Sequence, residues 1–253
     1  MIRLDAATVL LQWAVGGMAF CWFTTRRREV GLGYGWLLRG IYLVLAAGAC
    51  AAGIALEVVP VREVAAAGVA LGCLGGLVVS VARRRRGIAG FPAALDLVPV
   101  ALGAVGLVAA AVDAGGNPAV SLLRVFAGAA FLGAVTDAML LGHWYLVQPG
   151  LPRRLLHELV DAVAWVWPIE VVAMLLPIGV VSIWTGAVDD GWGGTLGWFW
   201  AACAVTTIGL VVVTKAALRE REYSAVMAAT GLLYLAILTA FGTDLVARAV
   251  LAA

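Results

Sequence analysis

Long stretches of apolar residues, separated by short polar connections, follow one another along the whole chain. A helix that crosses the hydrocarbon core of a bilayer needs about 20 such residues, because each residue rises about 1.5 Å along the axis. Applied along the chain, this length predicts an all-α polytopic bundle of about eight spans in one integral membrane domain, residues 1–253. The predicted spans are residues 6–25, 35–58, 63–82, 92–113, 121–147, 154–184, 195–217 and 223–251.

Basic residues alternate between the connections that join these spans. Of the 17 Lys and Arg residues, thirteen fall in every second connection, here called the basic end, and four fall in the other connections and termini, the acidic end. Cytoplasmic connections carry the excess of Lys and Arg, so we expect the basic end to be cytoplasmic and both termini to be non-cytoplasmic. The basic set is Arg26–Arg28, Arg39, Arg83–Arg86, Arg153, Arg154, Lys215, Arg219 and Arg221.

The composition agrees with a lipid environment. With 64% hydrophobic residues, 13% charged residues and a mean hydropathy of +1.03, the chain has too little polar surface to cover a soluble globule. We expect a multi-pass protein of the cell membrane, the inner membrane in a Gram-negative cell. A net charge of +2 gives no sign of a nucleic-acid partner. The four cysteines each stand alone in apolar runs and are interpreted as small core residues.

Small residues at a spacing of four predict where helices approach closely, because they let two backbones come together. The third span has Gly68, Gly72 and Gly76, and the fifth has Ala129 and Gly133. These positions indicate buried helix faces.

Carboxylates inside the spans are candidates for function, because inserting one costs about 2.5–3.5 kcal/mol. Glu170 is expected near the middle of the sixth span, flanked by Pro168 and Pro177. Each proline removes a backbone donor and leaves a carbonyl without its partner, which favours an ion, proton or polar-ligand site. Asp137 and Asp161 are predicted to continue a proton or ion path from Glu170; the alternative is a protonated Glu170 bonded to a neighbouring helix.

Two other carboxylates in the spans have simpler interpretations. Asp244 precedes Arg248 by four residues, so the two can form an ion pair on one helix face near the acidic end. Asp96 is expected either to cap the fourth helix or to pair with the arginines of Arg83–Arg86.

Both histidines lie close to the tight connection between the fifth and sixth spans. His143 and His157 are expected at nearly the same depth, with Asp161 one turn after His157. Together with Trp144 and Tyr145 they could bind a quinone or haem b, or transfer protons. Two histidines with carboxylates make a poor zinc set, so no metal site is predicted. The alternative is that these residues form only an interfacial belt.

These features lead to two main hypotheses of function. The first is a subunit of a larger membrane complex, either linked to electron, quinone or proton handling or purely structural. The second is a proton- or ion-coupled transporter that uses Glu170 and Asp137. A third is a lipid or prenyl enzyme in which Arg83–Arg86 hold a phosphate. The sequence lacks nucleotide-binding glycine patterns, common hydrolase motifs and a mid-span lysine for retinal.

Overall fold

Helices make up 81% of the computed structural model, which describes residues 5–88, 90–176, 179–187, 189 and 191–252. Within these ranges the chain contains no strand. Side chains are described up to residue 249. The helices are α1 (Ala6–Thr25), α2 (Leu32–Leu56), α3 (Pro60–Arg85), α4 (Leu97–Asp113), α5 (Pro118–Trp144), α6 (Arg154–Leu175), α7 (Val181–Trp184), α8 (Thr195–Ala217) and α9 (Tyr223–Ala252), and a short 3-10 helix, Ala93–Asp96, leads into α4.

The predicted all-α polytopic bundle is confirmed. Seven helices in the described part of the chain are long and apolar enough to cross a membrane: α1, α2, α3, α4 with its 3-10 helix, α5, α8 and α9. At 22 residues α6 is long enough by rise alone, but Glu158, Asp161 and Glu170 place three carboxylates within its apolar stretch. The chain is therefore a multi-pass membrane protein.

The sixth span is shorter than the sequence predicts. We expected one helix over residues 154–184, but α6 ends at Leu175, and Leu176 is extended, with φ −88° and ψ 147°. The residue before a proline avoids the helical region, and Pro177, itself outside the described residues, follows Leu176 in the sequence. By contrast, α6 continues through Pro168. Glu170 consequently lies about 7.5 Å from the helix end, near the acidic end and not at the middle.

Helices α1 and α5 form the centre of the bundle. They have the largest buried shares of the seven apolar helices, and α1 packs against α2, α4 and α5, while α5 also contacts α6 and α9. Their backbones touch where Gly16 crosses Ala129 and Gly133. A Cβ on Gly16 would collide with the carbonyl oxygen of Ala129, and one on Gly133 would collide with the backbone of Gly16. The expected close approach at Ala129 and Gly133 is thus confirmed, with α1 as the partner.

The glycines of α3 face two different neighbours. A Cβ on Gly68 would lie 3.3 Å from the Leu102 side chain, and one on Gly72 would lie 3.2 Å from Pro99, both on α4. Gly76 lies instead against Arg39 of α2. The spacing of four therefore marks a packed face, as expected.

We predict that replacing Gly16 by alanine destabilises the bundle by about 1–3 kcal/mol, because the methyl group forces α1 away from α5. Gly209→Ala in α8 is the matched control, since a Cβ there meets nothing within 4 Å. The measurement is the unfolding midpoint in mild detergent. Equal midpoints for the two variants would show that the crossing tolerates a side chain.

Candidate functional site

A cluster of buried polar side chains lies near the acidic end, where α1, α5, α6 and α9 meet. Asp244 accepts two hydrogen bonds from Arg248, at 2.8 Å from Nε and 3.0 Å from Nη2. The expected ion pair is therefore confirmed, but both of its members are fully buried instead of interfacial. We call Gln12, Arg124, Glu170, Asp244 and Arg248 the acidic-end cluster.

Gly128 of α5 makes room for this cluster. A Cβ at that position would lie 2.7 Å from Oδ1 of Asp244 and 3.1 Å from Nη2 of Arg248, and would collide with Nε2 of Gln12. Three side chains from α1 and α9 thus converge on one glycine. Glu170 completes the group from α6, and its charged neighbours are Asp244, Arg248 and Arg124.

Five buried polar atoms of the cluster have no complementary hydrogen-bond partner in the described part of the chain, although the carboxyl groups of Glu170 and Asp244 lie within hydrogen-bonding reach of each other. The five atoms are both side-chain oxygens of Glu170, both amide atoms of Gln12, and Nη1 of Arg248. Leaving one such group without a partner costs about 1–3 kcal/mol, and more when it is charged. Their concentration in one place indicates a site for water, protons or a small polar ligand.

The freed backbone carbonyls expected beside Glu170 arise at the end of α6. The last four carbonyls of a helix have no partner within it. Arg124 of α5 reaches this end, where its Nε donates to the Ala173 carbonyl at 3.0 Å and its Nη2 donates to the Leu176 carbonyl. Arg124 is thus held beside Glu170 by backbone groups.

A small cavity lies beside this cluster at the acidic end. It is lined by Arg248, Asp5, Thr8 and Arg62, among others. The volume accessible to the centre of a water molecule is about 20 Å³, enough for roughly one water. Arg62 links the residues around this cavity. Its guanidinium pairs with Asp5 and Glu63 and donates to Thr8 at 3.1 Å.

Asp137 lies in a second buried site, nearer the basic end. The Tyr42 hydroxyl donates to its Oδ1, whereas Oδ2 has no partner among the described residues. The hydroxyl of Tyr34 donates to the backbone carbonyl of Asp137 at 3.4 Å. All three side chains are fully buried. We call Tyr34, Tyr42 and Asp137 the tyrosine–aspartate site.

A buried ion pair stands near this second site and corrects our expectation for Asp96. Nε and Nη2 of Arg39 each lie 2.7 Å from a different oxygen of Asp96, and the guanidinium stacks on Phe91 at 3.9 Å. Asp96 neither caps α4 with its side chain nor pairs with the Arg83–Arg86 run. A carboxylate inside the bundle needs a buried partner, and the arginine run remains at the polar surface.

The two sites are separate stations and do not form one compact centre. Gly128 and Asp137 are nine residues apart on α5, hence about 13.5 Å along the axis. Gly133, where α5 crosses α1, lies between them. The crossing therefore stands between the acidic-end cluster and the tyrosine–aspartate site.

The two histidines have different surroundings. His143, in the last turn of α5, is exposed at the side of the bundle, with Nδ1 3.3 Å from the Tyr234 hydroxyl of α9. His157 is half-buried in the first turn of α6. Asp161, expected to orient His157, forms an ion pair with Lys215 of α8 at 2.6 Å. Whether either histidine holds a cofactor stays a prediction.

Trp144 and Tyr145 help to join the connections at the basic end. Trp144 packs on Tyr34 with ring centroids 5.9 Å apart, and its Nε1 donates to Gln148 at 3.3 Å. Burial raises the pKa of Tyr145 to about 12, so the hydroxyl stays protonated and donates to the Pro152 carbonyl at 2.9 Å. Both side chains thus have structural contacts, and their cofactor role stays a prediction.

No group of three or more His, Cys, Asp or Glu side chains arranged to hold a metal ion occurs in the ranges that the structure describes. The four cysteines form no disulfide, and Cys21, Cys73 and Cys203 are buried, as expected for core residues.

In comparisons with protein families, with curated proteins and with solved structures, no match is found. Function must therefore be inferred from the geometry of the sites.

Sequence reasoning missed four members of these sites: Gln12, Tyr34, Tyr42 and Arg124. Gln12 is one of two glutamines in the chain and stands alone in the apolar run of α1. That isolation is a signal that could have identified it, because an amide in hydrocarbon needs a partner. Tyr34, Tyr42 and Arg124 resemble ordinary interfacial residues in the sequence, so only the fold reveals their burial.

We predict that Asp96→Asn destabilises the protein by about 3–5 kcal/mol, because it leaves the Arg39 cation buried without its counter-charge. Glu29→Gln is the control, since it breaks an exposed ion pair with Arg154 and costs at most about 1 kcal/mol. Chemical unfolding in detergent measures both. A double variant, Arg39→Met with Asp96→Leu, should recover much of the loss; no recovery would contradict the ion-pair explanation.

Proposed function

We propose that this protein moves protons across the membrane, as a proton-conducting or proton-coupled transporter, with Glu170 and Asp137 as the groups that bind and release the proton. The observation that carries the proposal is the Glu170 carboxyl group. It is fully buried, neither oxygen accepts a hydrogen bond from an N–H or O–H donor among the described residues, and two arginines lie near it, with the Asp244 carboxyl group within hydrogen-bonding reach.

The charges around Glu170 support exchange of a proton. Arg248 is bonded to Asp244 through two nitrogens, while its third, Nη1, is unpaired. An ionised Glu170 has cations nearby to stabilise it, whereas a protonated Glu170 avoids the cost of a buried negative charge. Because each form has its own source of stabilisation, the carboxyl group is suited to alternate between the two.

Gln12 supports transfer between Glu170 and its surroundings. Its amide has both donor and acceptor atoms, and all of them are unpaired in the described structure. The narrow cavity beside Arg248 has room for about one water, which would bridge the cluster to the acidic end. A proton can then reach Glu170 without a wide aqueous channel.

Asp137 is the second station of the proposed path. Its Oδ1 accepts a hydrogen bond from Tyr42, whereas its Oδ2 has no partner among the described residues and can take up a proton. The separation of about 13.5 Å along α5 is too long for direct transfer between stations. We therefore propose that transport requires the α1–α5 crossing to loosen and admit water, so that the described arrangement is the closed state.

Replacing Glu170 by glutamine should reduce proton uptake into proteoliposomes, driven by a potassium diffusion potential, at least about tenfold, because the amide cannot exchange a proton. Asp137→Asn should have the same effect. Glu220→Gln is the control, since Glu220 is exposed at the basic end. A trapped pH-sensitive dye reports the rate. Uptake by the native protein equal to that of empty vesicles, or unchanged in Glu170→Gln, would contradict the proposal.

Replacing Gln12 by leucine should raise stability by about 1–3 kcal/mol and at the same time lower the rate of proton uptake. Leucine has a similar volume and removes a buried amide that lacks partners, so stability rises while the relay is lost. The two measurements are chemical unfolding and the vesicle assay. If the variant keeps the native uptake rate, Gln12 has no place in the path.

A second candidate function is favoured by His143. This imidazole is exposed at the side of the bundle beside the Tyr234 hydroxyl, where a quinone dissolved in lipid would meet two groups able to hydrogen-bond its carbonyl oxygen. The protein would then be a subunit of a larger complex in the cell membrane, which handles electrons, quinone or haem b. The test is the mildly solubilised complex. If it shows neither haem absorbance nor bound quinone, and if its activity is unchanged in His143→Ala, this candidate is excluded.

A further inference from the structure

A cavity of about 240 Å³ opens at the basic end, away from both stations of the proposed proton path. It lies between the α1–α2 connection and the segment that leads into α4. Arg28, Gly31, Leu32, Arg39, Phe91 and Ala93 are among the residues that line it. Its size suits a small ligand or the head group of a lipid.

Two arginines line the cavity, and Arg28 gives it a positive charge, since the charge of Arg39 is balanced by Asp96. Arg28 is exposed, while Arg39 is almost fully buried and held in a fixed orientation by Asp96 and Phe91. Asp96 bonds Nε and Nη2 of Arg39, whereas Nη1 lies beside Gly35. A Cβ at position 35 would stand 2.7 Å from Nη1, so glycine allows the guanidinium to reach the cavity wall.

The start of α2 also faces this cavity. Gly31 is the N-cap of this 25-residue helix and supplies no side-chain cap to its first N–H groups. Gly31 and Leu32 both line the cavity, so the positive end of the helix dipole lies at its wall. A helix start and two guanidinium groups thus surround one space.

The backbone at Arg28 is unusual. With φ of 58° it is the one non-glycine residue in the described ranges that has a left-handed conformation. Bulky side chains avoid this region, and such strain is concentrated at functional positions. The α1–α2 connection therefore adopts an unfavourable conformation at the residue that brings a cation to the cavity.

We propose that this cavity binds a phosphate group, either the head group of an anionic lipid or a soluble phosphate ester. The Arg28 guanidinium can bind phosphate oxygens in a bidentate manner, Nη1 of Arg39 can add one donor, and the start of α2 adds a positive potential. The cavity lies at the polar boundary of the bundle, so both sources can reach it. The proposal goes beyond proton movement and depends on different residues. It also involves other residues than the Arg83–Arg86 run, whose phosphate role stays a prediction; Arg83 donates to the Gly90 carbonyl at 3.2 Å.

The test compares ligands that differ only in the phosphate. Native mass spectrometry of the purified full chain measures binding of phosphatidic acid, of diacylglycerol with the same acyl chains, and of glycerol 3-phosphate. Phosphatidic acid should bind at least about tenfold more tightly than diacylglycerol. Binding of glycerol 3-phosphate as well identifies a soluble ester as a ligand, whereas binding of phosphatidic acid alone identifies a lipid head group.

Two variants separate the cavity from diffuse surface charge. Arg28→Gln removes the exposed cation of the cavity, and Ala93→Leu fills the cavity without changing charge. Each should weaken binding about tenfold, whereas Arg85→Gln, an exposed arginine of α3 that does not line the cavity, should leave it unchanged. Three results would overturn the proposal. They are an equal loss of phosphatidic acid binding in Arg28→Gln and Arg85→Gln, undiminished binding by Ala93→Leu, and no preference for phosphatidic acid over diacylglycerol.

Discussion

The backbone contact between α1 and α5 is the constraint on which the rest of the structure depends. Hydrocarbon gives no hydrophobic drive for helices to associate, so close packing and polar contacts must hold them. Gly16 and Gly133 permit that packing at the centre of the bundle. The same crossing places Gln12 against the α5 face at Gly128. Beside the crossing, Gly17 of α1 leaves room for the ring of Tyr42, which reaches Asp137 from α2. Both buried polar sites therefore lie beside one helix crossing.

The cost of a charge in hydrocarbon explains how the remaining helices are joined. Arg39 of α2 meets Asp96 at the start of α4, and Asp244 and Arg248 pair within α9. These groups are neutralised where they lie. Glu170 differs, because it stands near two arginines without a hydrogen bond to either in the described structure. A buried carboxyl group without a hydrogen-bond donor is stable only when it is protonated or when it binds water or a polar ligand. The proposed function depends on Glu170 for this reason.

At the basic end, hydrogen bonds between loops add to the buried charge pairs. Polar side chains there join loops to one another. Gln148, for example, accepts from the backbone of Gly31 at 2.9 Å and so links the α5–α6 connection to the start of α2. This link helps to shape the cavity beside Arg28 and Arg39, which requires no buried unpaired group. A phosphate site at this end and a proton path through the interior can thus coexist in one chain.

Sequence alone determined the helical membrane bundle and most helix limits, because a span depends only on the length and apolarity of a continuous segment. It also identified the pairing of Asp244 with Arg248, since four residues on one helix place them side by side. Tertiary structure decided where α6 ends, which residue pairs with Asp96 and which charged groups surround Glu170. Those properties depend on which helices meet and how they are rotated about their axes, and contacts between residues as distant as Tyr42 and Asp137 have no local signature in the chain.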